Sequence, residues 1–284
     1  MNLHHSSTIP LLTVLLGCSM VPSAQSGEEP AVAGQDIRLT ILHTSDVHSR
    51  LLPYSFEPSF TDTNVLGLPE RCPDDYTTET EWCEFRDYEY GGIARIGAIL
   101  KEERQRARRV LHLDSGDSFQ GALIFNEFSG EAEMRLMTEI GLDAAVVANH
   151  EFDNGAQNLA DQYGAWGGFD FLAANYDFED SDLPWATALE DMVLPSKIYD
   201  LDGLRVGVIG MANISSLNSI YDESNSMGIK VMEPEEVLPN NAALLRAQGA
   251  DLVIALSHMG LHEDTHHAQT VKGVDLYIGG HHHI

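Results

Sequence analysis

Apolar runs that read as buried strands recur along this chain. Five of them are followed at once by residues able to hold a metal: Asp46-Val47-His48, Gly116-Asp117, Asn149-His150-Glu151, Ser257-His258 and Gly280-His281-His282-His283. Stretches with helical periodicity lie between most of the runs. Such strands must be joined by crossovers, which is the layout of an α/β protein. In open α/β sheets the loops beyond the carboxyl ends of the strands are where ligands collect. Five ligand-bearing loops meeting there could surround two adjacent cations, an arrangement suited to in-line hydrolysis of a phosphate ester.

The pattern along the chain supports this layout. Residues 37–43 alternate as a strand. Residues 92–109 read as a helix with Ile93, Ile96, Ile99 and Leu100 on one face and basic final turns that complement its dipole. Residues 110–113 form a strand, and Ser129 is the expected cap of a helix that runs to Ile140 and stops at Gly141. Strand 144–148, helix 154–165 and extended stretch 169–174 follow. Residues 196–210 form a hairpin turning at Asp202-Gly203, a type I′ signal. Pro234 suits the first turn of a helix ending near Gly249. Strand 252–256, helix 263–271 and strand 274–278 complete the series. One hairpin among crossovers predicts mixed sheets.

The chain has 284 residues, 43% hydrophobic and 21% charged, which is the composition of a folded domain. Asp plus Glu number 44 against 16 Lys plus Arg, so 44 − 16 gives a net charge of −28. That surface argues against a nucleic-acid partner and repels a phosphorylated substrate. The site must reverse the local field, and bound divalent cations do so directly.

Residues 9–18 are apolar, too few to span a bilayer, and are followed by Ser23, Ala24 and Ser26. A signal peptide over residues 1–26 is expected, although no Lys or Arg precedes the apolar run. Export would place the protein outside the cell, in the periplasm or on the cell surface. Leu15-Leu16-Gly17-Cys18 resembles a lipobox, making Cys18 a lipidation candidate and an anchor there the expected route to a membrane. Residues 27–36 read as a linker. Cys72 and Cys83 lie in a polar insertion over residues 54–90. In an exported protein they are expected to form a disulfide, stabilising by roughly 3 kcal/mol through loop closure.

The ligand types carry the chemistry. Asp46 and His48 are two apart, and in extended backbone they share a face and reach one ion. Asp117 follows Gly116, whose freedom lets backbone approach closely, and its two oxygens suffice to bridge two ions. Asn149 offers a neutral amide oxygen that adds no negative charge beside a phosphate. His258 ends a strand, and His281 and His283 form a His-x-His pair. Mixed imidazole and carboxylate sets suit zinc, manganese or iron. His150 and Asp153 form a second constellation in which the carboxylate orients the ring, and a cationic ring stabilises developing charge or protonates a leaving oxygen. Of the other histidines, His112 reads as a core residue and His43 as a supporting one. His262, His266 and His267 read as solvent-facing, and His282 as pointing away from its neighbours.

Taken together, these segments resemble the calcineurin-like metallophosphoesterases, with the local match best to the secreted 5′-nucleotidase and UDP-sugar hydrolase branch. Tyr90-Gly91-Gly92-Ile93-Ala94-Arg95 and residues 151–155 resemble that branch as well. The resemblance runs from about residue 39 to 283. It implies an α/β fold, a four-layer αββα sandwich of two mixed sheets flanked by helices. It implies that Asp46, His48, Asp117 and His283 hold one metal. Asp117, Asn149, His258 and His281 would hold the other. A hydroxide between the ions would attack phosphorus, with His150 and Asp153 assisting. Zinc is the expected metal, with manganese, iron or another divalent ion as alternatives. The implied substrate is a nucleotide or nucleotide sugar, from which phosphate is released. A 2′,3′-cyclic-nucleotide phosphodiesterase with 3′-nucleotidase activity and a UDP-sugar hydrolase are related readings. Asp153 favours the 5′-nucleotidase, because the cyclic branch often has Asn there. A non-catalytic metal-binding surface protein is the reading of a different class.

Two departures stand out. Ala148 replaces a glycine usual in the family, a change tolerated where the backbone avoids positive φ. The family also continues beyond its His-x-His motif and adds a nucleoside-gripping domain. The resemblance therefore implies that the catalytic domain over residues 37–284 is incomplete.

Overall fold

The computed structural model describes residues 36–55, 89–178, 184–213 and 229–283. The leader with Cys18, nearly all of the linker, and the part of the insertion holding Cys72 and Cys83 lie outside the described residues. In chain order, β1 (Thr40–Thr44), β2 (Tyr54–Ser55) and β3 (Glu89–Tyr90) precede helix α1 (Ile93–Arg106). Next come β4 (Val110–Asp114), α2 (Leu123–Phe128), α3 (Glu131–Glu139) and β5 (Ala144–Val146). A 3₁₀ turn (His150–Phe152) leads into α4 (Gly155–Trp166), β6 (Asp170–Leu172), β7 (Tyr176–Asp177) and α5 (Pro184–Met192). After β8 (Val193–Leu194), β9 (Ser196–Leu201) and β10 (Leu204–Met211) come β11 (Lys230–Val231) and α6 (Pro234–Ala247). Last are β12 (Leu252–Ser257), α7 (Leu261–Thr270) and β13 (Leu276–Gly279).

The strands build two principal sheets. The first has the order β1-β4-β5-β6-β8 and is parallel at every pair. The second has the order β13-β12-β10-β9, parallel except where β9 and β10 pair as a hairpin. That hairpin turns at Asp202 and Gly203, both at positive φ (53° and 82°), as a type I′ turn requires. Because helices or the facing sheet cover both sides, the central strand β5 is apolar throughout instead of alternating. Ala144, Ala145 and Val146 of β5 are all buried.

The two sheets lie face to face. Leu113, Val146, Phe171 and Leu172 of the first share one core with Val206, Val208, Ile254 and Leu256 of the second. The sheets approach closely at Gly210, where a Cβ would stand 2.4 Å from the carbonyl carbon of Leu172. On the outer face of the second sheet, Ile209, Met211, Val253 and Ala255 meet Val237, Leu238 and Leu245 of α6. Met137 of α3 and Leu159 of α4 join the core of the first sheet. The layers therefore run helix, sheet, sheet, helix.

Some local readings change. Ser129 is not the cap of a following helix but the left-handed end of α2, with φ 52° and its N–H on the Phe125 carbonyl. Gly130, at φ 103°, caps α3, which ends at Ile140 as expected, while α2 before it was not anticipated. Ile99 is 60% exposed, because α1 buries only the narrow face holding Ile93 and Leu100. His267 is buried: it shares the inward face of α7 with Asp264, three residues earlier, and its Nδ1 is 2.7 Å from the Glu263 carbonyl. His112 lies in the core on Thr44 Oγ1, and burial pushes its pKa down to about 4, keeping it neutral.

Candidate metal centre

Parallel strands bring their carboxyl ends to one edge, and the candidate residues lie just beyond. Asp46 and His48 follow β1, Asp117 follows β4, and Asn149 and His150 follow β5. From the second sheet, His258 follows β12, and His281 and His283 follow β13. The loops after β1 and β4 are zipped together by main-chain bonds. Asp46 N–H donates to the Gly116 carbonyl at 2.9 Å, His48 N–H to that of Asp117 at 3.0 Å and Ser49 N–H to that of Ser118 at 2.9 Å. The Asp46 carboxylate reaches across to the other sheet and accepts the His281 N–H, 3.1 Å from each oxygen.

Asp46 and His48 do converge, but not by strand alternation. Asp46, His48, Asp117, His281 and His283 all have φ between 47° and 79°. Side chains adopt that left-handed region at a cost of about 1–2 kcal/mol per residue. Strain concentrated in ligand-bearing loops is a mark of a functional site.

Two groups of three result: Asp46, His48 and His283, and Asp117, His258 and His281, each able to place one ligand atom within 4.8 Å of the others. Tautomers follow from the partners. His48 Nδ1 faces two carbonyls, Gln120 at 3.0 Å and Phe119 at 3.3 Å, so it carries the proton and leaves Nε2 as a lone pair. That lone pair is 3.0 Å from His283 Nε2, which in turn is 3.3 Å from Asp46 Oδ1. Likewise His258 Nδ1 donates to the Ser115 carbonyl at 2.7 Å, so a neutral ring aims the Nε2 lone pair at Asp117 Oδ2, 2.8 Å away. Lone pairs aimed at carboxylate oxygens need a positive charge between them. Protonation answers that need without a metal: burial would lower the His258 pKa, but Asp117 raises it overall. Asn149 Oδ1, in a residue 3% exposed, has no hydrogen-bond partner among the described residues. A buried acceptor left unpaired is costly, and a cation would satisfy it. The donor set thus fits two divalent ions of the kind that bind imidazole and oxygen.

Asp117 Oδ1 accepts the His150 N–H at 2.9 Å, joining this pair of groups to the second constellation. His150 Nδ1 is 2.9 Å from Asp153 Oδ2, and the ring lies edge-on to His48 with centroids 5.1 Å apart. The Asp153 hydrogen bond holds the His150 pKa above the usual imidazole value. Asp46, His48, His150 and His283 line a cavity of about 1060 Å³.

Sequence reasoning named Glu151 only within a ligand-bearing segment and gave Asp114 no role, yet both support the loops. Glu151 is 1% exposed and accepts three backbone N–H bonds: Ser118 at 2.7 Å, Ala148 at 2.9 Å and Asp117 at 3.1 Å. It thereby pins the Asp117 loop to the Asn149 turn. Burial and the Asp117 charge push its pKa up to about 8. Asp114, fully buried, holds Gly116 N–H at 2.8 Å and Thr44 Oγ1 at 2.5 Å. The signal available beforehand was an acidic residue inside an otherwise buried run. Ala148 is absent from the positive-φ residues, so its methyl is accommodated.

The calcineurin-like phosphoesterase family model matches residues 39–284. The chain is 34% identical to the snake venom 5′-nucleotidase of Crotalus adamanteus, over 88% of this chain and 38% of that protein. It is 30% identical to the 5′-nucleotidase of Bos taurus, over 99% of this chain and 42% of the relative. Its structure resembles the crystal structure of a 5′-nucleotidase precursor from Thermus thermophilus with TM-score 0.69 and 29% identity, covering 86% of this chain and 41% of that one. The chain thus spans about two fifths of the length of these relatives.

Proposed function

The chain belongs to the calcineurin-like phosphoesterase family, and from that premise we propose that it is the catalytic part of an exported, two-metal phosphohydrolase that releases phosphate from nucleotides. The observation that carries the reading is the pairing of two metal-competent groups, meeting at the buried Asp117, with a His150–Asp153 couple at their rim. Asp46, His48 and His283 would hold one ion and Asn149, His258 and His281 the other, with Asp117 shared. When bound, such a pair supplies an acidified water and positive charge against the phosphoryl oxygens.

The remaining work falls to the chain's own groups. Asn149 contributes a ligand oxygen without a charge that would repel the incoming anion. Asp153 accepts the Nδ1–H of His150 and fixes the ring, so Nε2 presents a proton toward the cavity. His150 delivers it to the departing ribose oxygen as the P–O bond breaks, and Asp153 stabilises the cationic ring beforehand. Glu151 keeps the Asp117 and Asn149 loops in register throughout.

The 5′-nucleotidase relatives support a nucleotide substrate, and the snake venom relatives support export. The test is release of phosphate or phosphate monoesters by the full-length protein from AMP, ADP, UDP-glucose and 2′,3′-cyclic AMP, with and without a chelator. Chelator-sensitive release from AMP is expected. Release from the cyclic substrate alone would move the assignment to that branch. No release from any substrate, with both ions bound, would leave a metal-binding surface protein.

A further inference from the structure

We propose that Arg50 is the cation that captures the substrate's phosphate at the mouth of this site, a role that rests on the phosphohydrolase reading above. Arg50 lines the cavity together with Asp46, His48, His150 and His283, and it is the one Lys or Arg among the described residues that does so. The chain carries 44 acidic residues against 16 basic ones, so a basic side chain here would ordinarily find a carboxylate. Arg104 meets Asp143 and Arg108 meets Asp202 in that way. The Arg50 guanidinium has no carboxylate or carbonyl partner among the described residues. It lies over the ring of Tyr54, 5.1 Å from the centroid.

That arrangement keeps all five N–H donors available while the stacked ring limits the conformations of the side chain. A planar fork of donors matches phosphate oxygens two at a time. The backbone fixes the origin of the side chain: Arg50 N–H donates to the Val47 carbonyl at 3.0 Å, closing the same left-handed turn that presents Asp46 and His48. Any anion drawn to the metal groups therefore comes within the neighbourhood of this arginine. In so acidic a chain, an unpaired cation at the entrance also offsets the field that would repel the substrate.

The probe is inorganic phosphate, titrated calorimetrically into the zinc-loaded full-length protein, so that binding is read without turnover. Arg50→Ala should weaken phosphate by about tenfold or more while both ions stay bound, and Arg50→Lys should recover part of the loss. Arg108→Ala removes the same charge at the opposite end of the first sheet and should leave phosphate affinity as it is. In turnover, Arg50→Ala should raise KM for AMP by a larger factor than it lowers kcat. Unchanged phosphate affinity in Arg50→Ala, an equal loss in Arg108→Ala, or loss of metal from Arg50→Ala would each overturn the proposal. Wild-type protein that binds phosphate through Arg50 yet releases none from AMP would sink the nucleotidase reading and leave this one standing.

Discussion

Replacing Gly116 with alanine would drive a methyl group between the two loops that carry Asp117 and Asn149. Gly116 has φ 95°, and a Cβ there would stand 2.5 Å from the Ala148 Cβ and 2.9 Å from the Val146 carbonyl oxygen. The left-handed conformation costs an L-residue about 1–2 kcal/mol, and overpacking adds about 1–3 kcal/mol, so a loss of about 2–5 kcal/mol is expected. The nearest atom in the collision is the Ala148 methyl. Ala148→Gly alone should cost under about 1 kcal/mol through chain entropy. The double variant removes the nearest contact but keeps the Val146 contact and the strained φ. It should therefore be more stable than the sum of the single effects by about 1 kcal/mol. Urea midpoints of the four proteins, read at constant m-value, measure this coupling. Additivity within about 0.3 kcal/mol, or an undisturbed Gly116→Ala, would refute the packing argument.

Three further outcomes are expected. His150→Ala should retain both ions but lower kcat by about a hundredfold or more, as removal of a general acid does; metal loss on analysis would make His150 a ligand. Asp153→Asn leaves an amide oxygen to accept the His150 Nδ1–H but removes the carboxylate charge, which weakens the hydrogen bond that raises the His150 pKa. The ring then loses its proton at lower pH, so the alkaline limb of the kcat profile should move to lower pH, and a limb that stays in place would assign it to another group. Glu151→Gln places an NH₂ against a backbone N–H that the carboxylate now accepts, at a cost of about 1–3 kcal/mol. Metal dissociation monitored with a chromophoric chelator should be faster in that variant, and an unchanged rate would remove Glu151 from the support of the loops.

Much of the architecture was legible because period and punctuation agree in this chain. The Asp202-Gly203 turn and Pro234 announced the hairpin and the start of α6, and both stand where expected. The candidate ligands were legible because parallel strands oblige the loops after them to converge. What stayed hidden depends on tertiary neighbours. Ser129 has the chemistry of a helix start, yet the chain turns left-handed there and Gly130 opens the next helix. His267 has a polar side chain, but its position on α7 faces inward. The reach of Asp46 and His48 was anticipated for the wrong reason, since a left-handed turn aims them. Glu151 was read within a ligand-bearing segment of a chain with 44 acidic residues, and its three N–H partners give it a supporting role instead.

The central claim is that two cations share Asp117. An anomalous-difference map from crystals of the zinc-loaded protein tests it most directly. Two peaks about 3.5–4 Å apart are predicted, one among Asp46, His48 and His283 and the other beside Asn149, His258 and His281, with Asp117 contacting both. A single peak, or two peaks that Asp117 does not touch in common, would contradict the account.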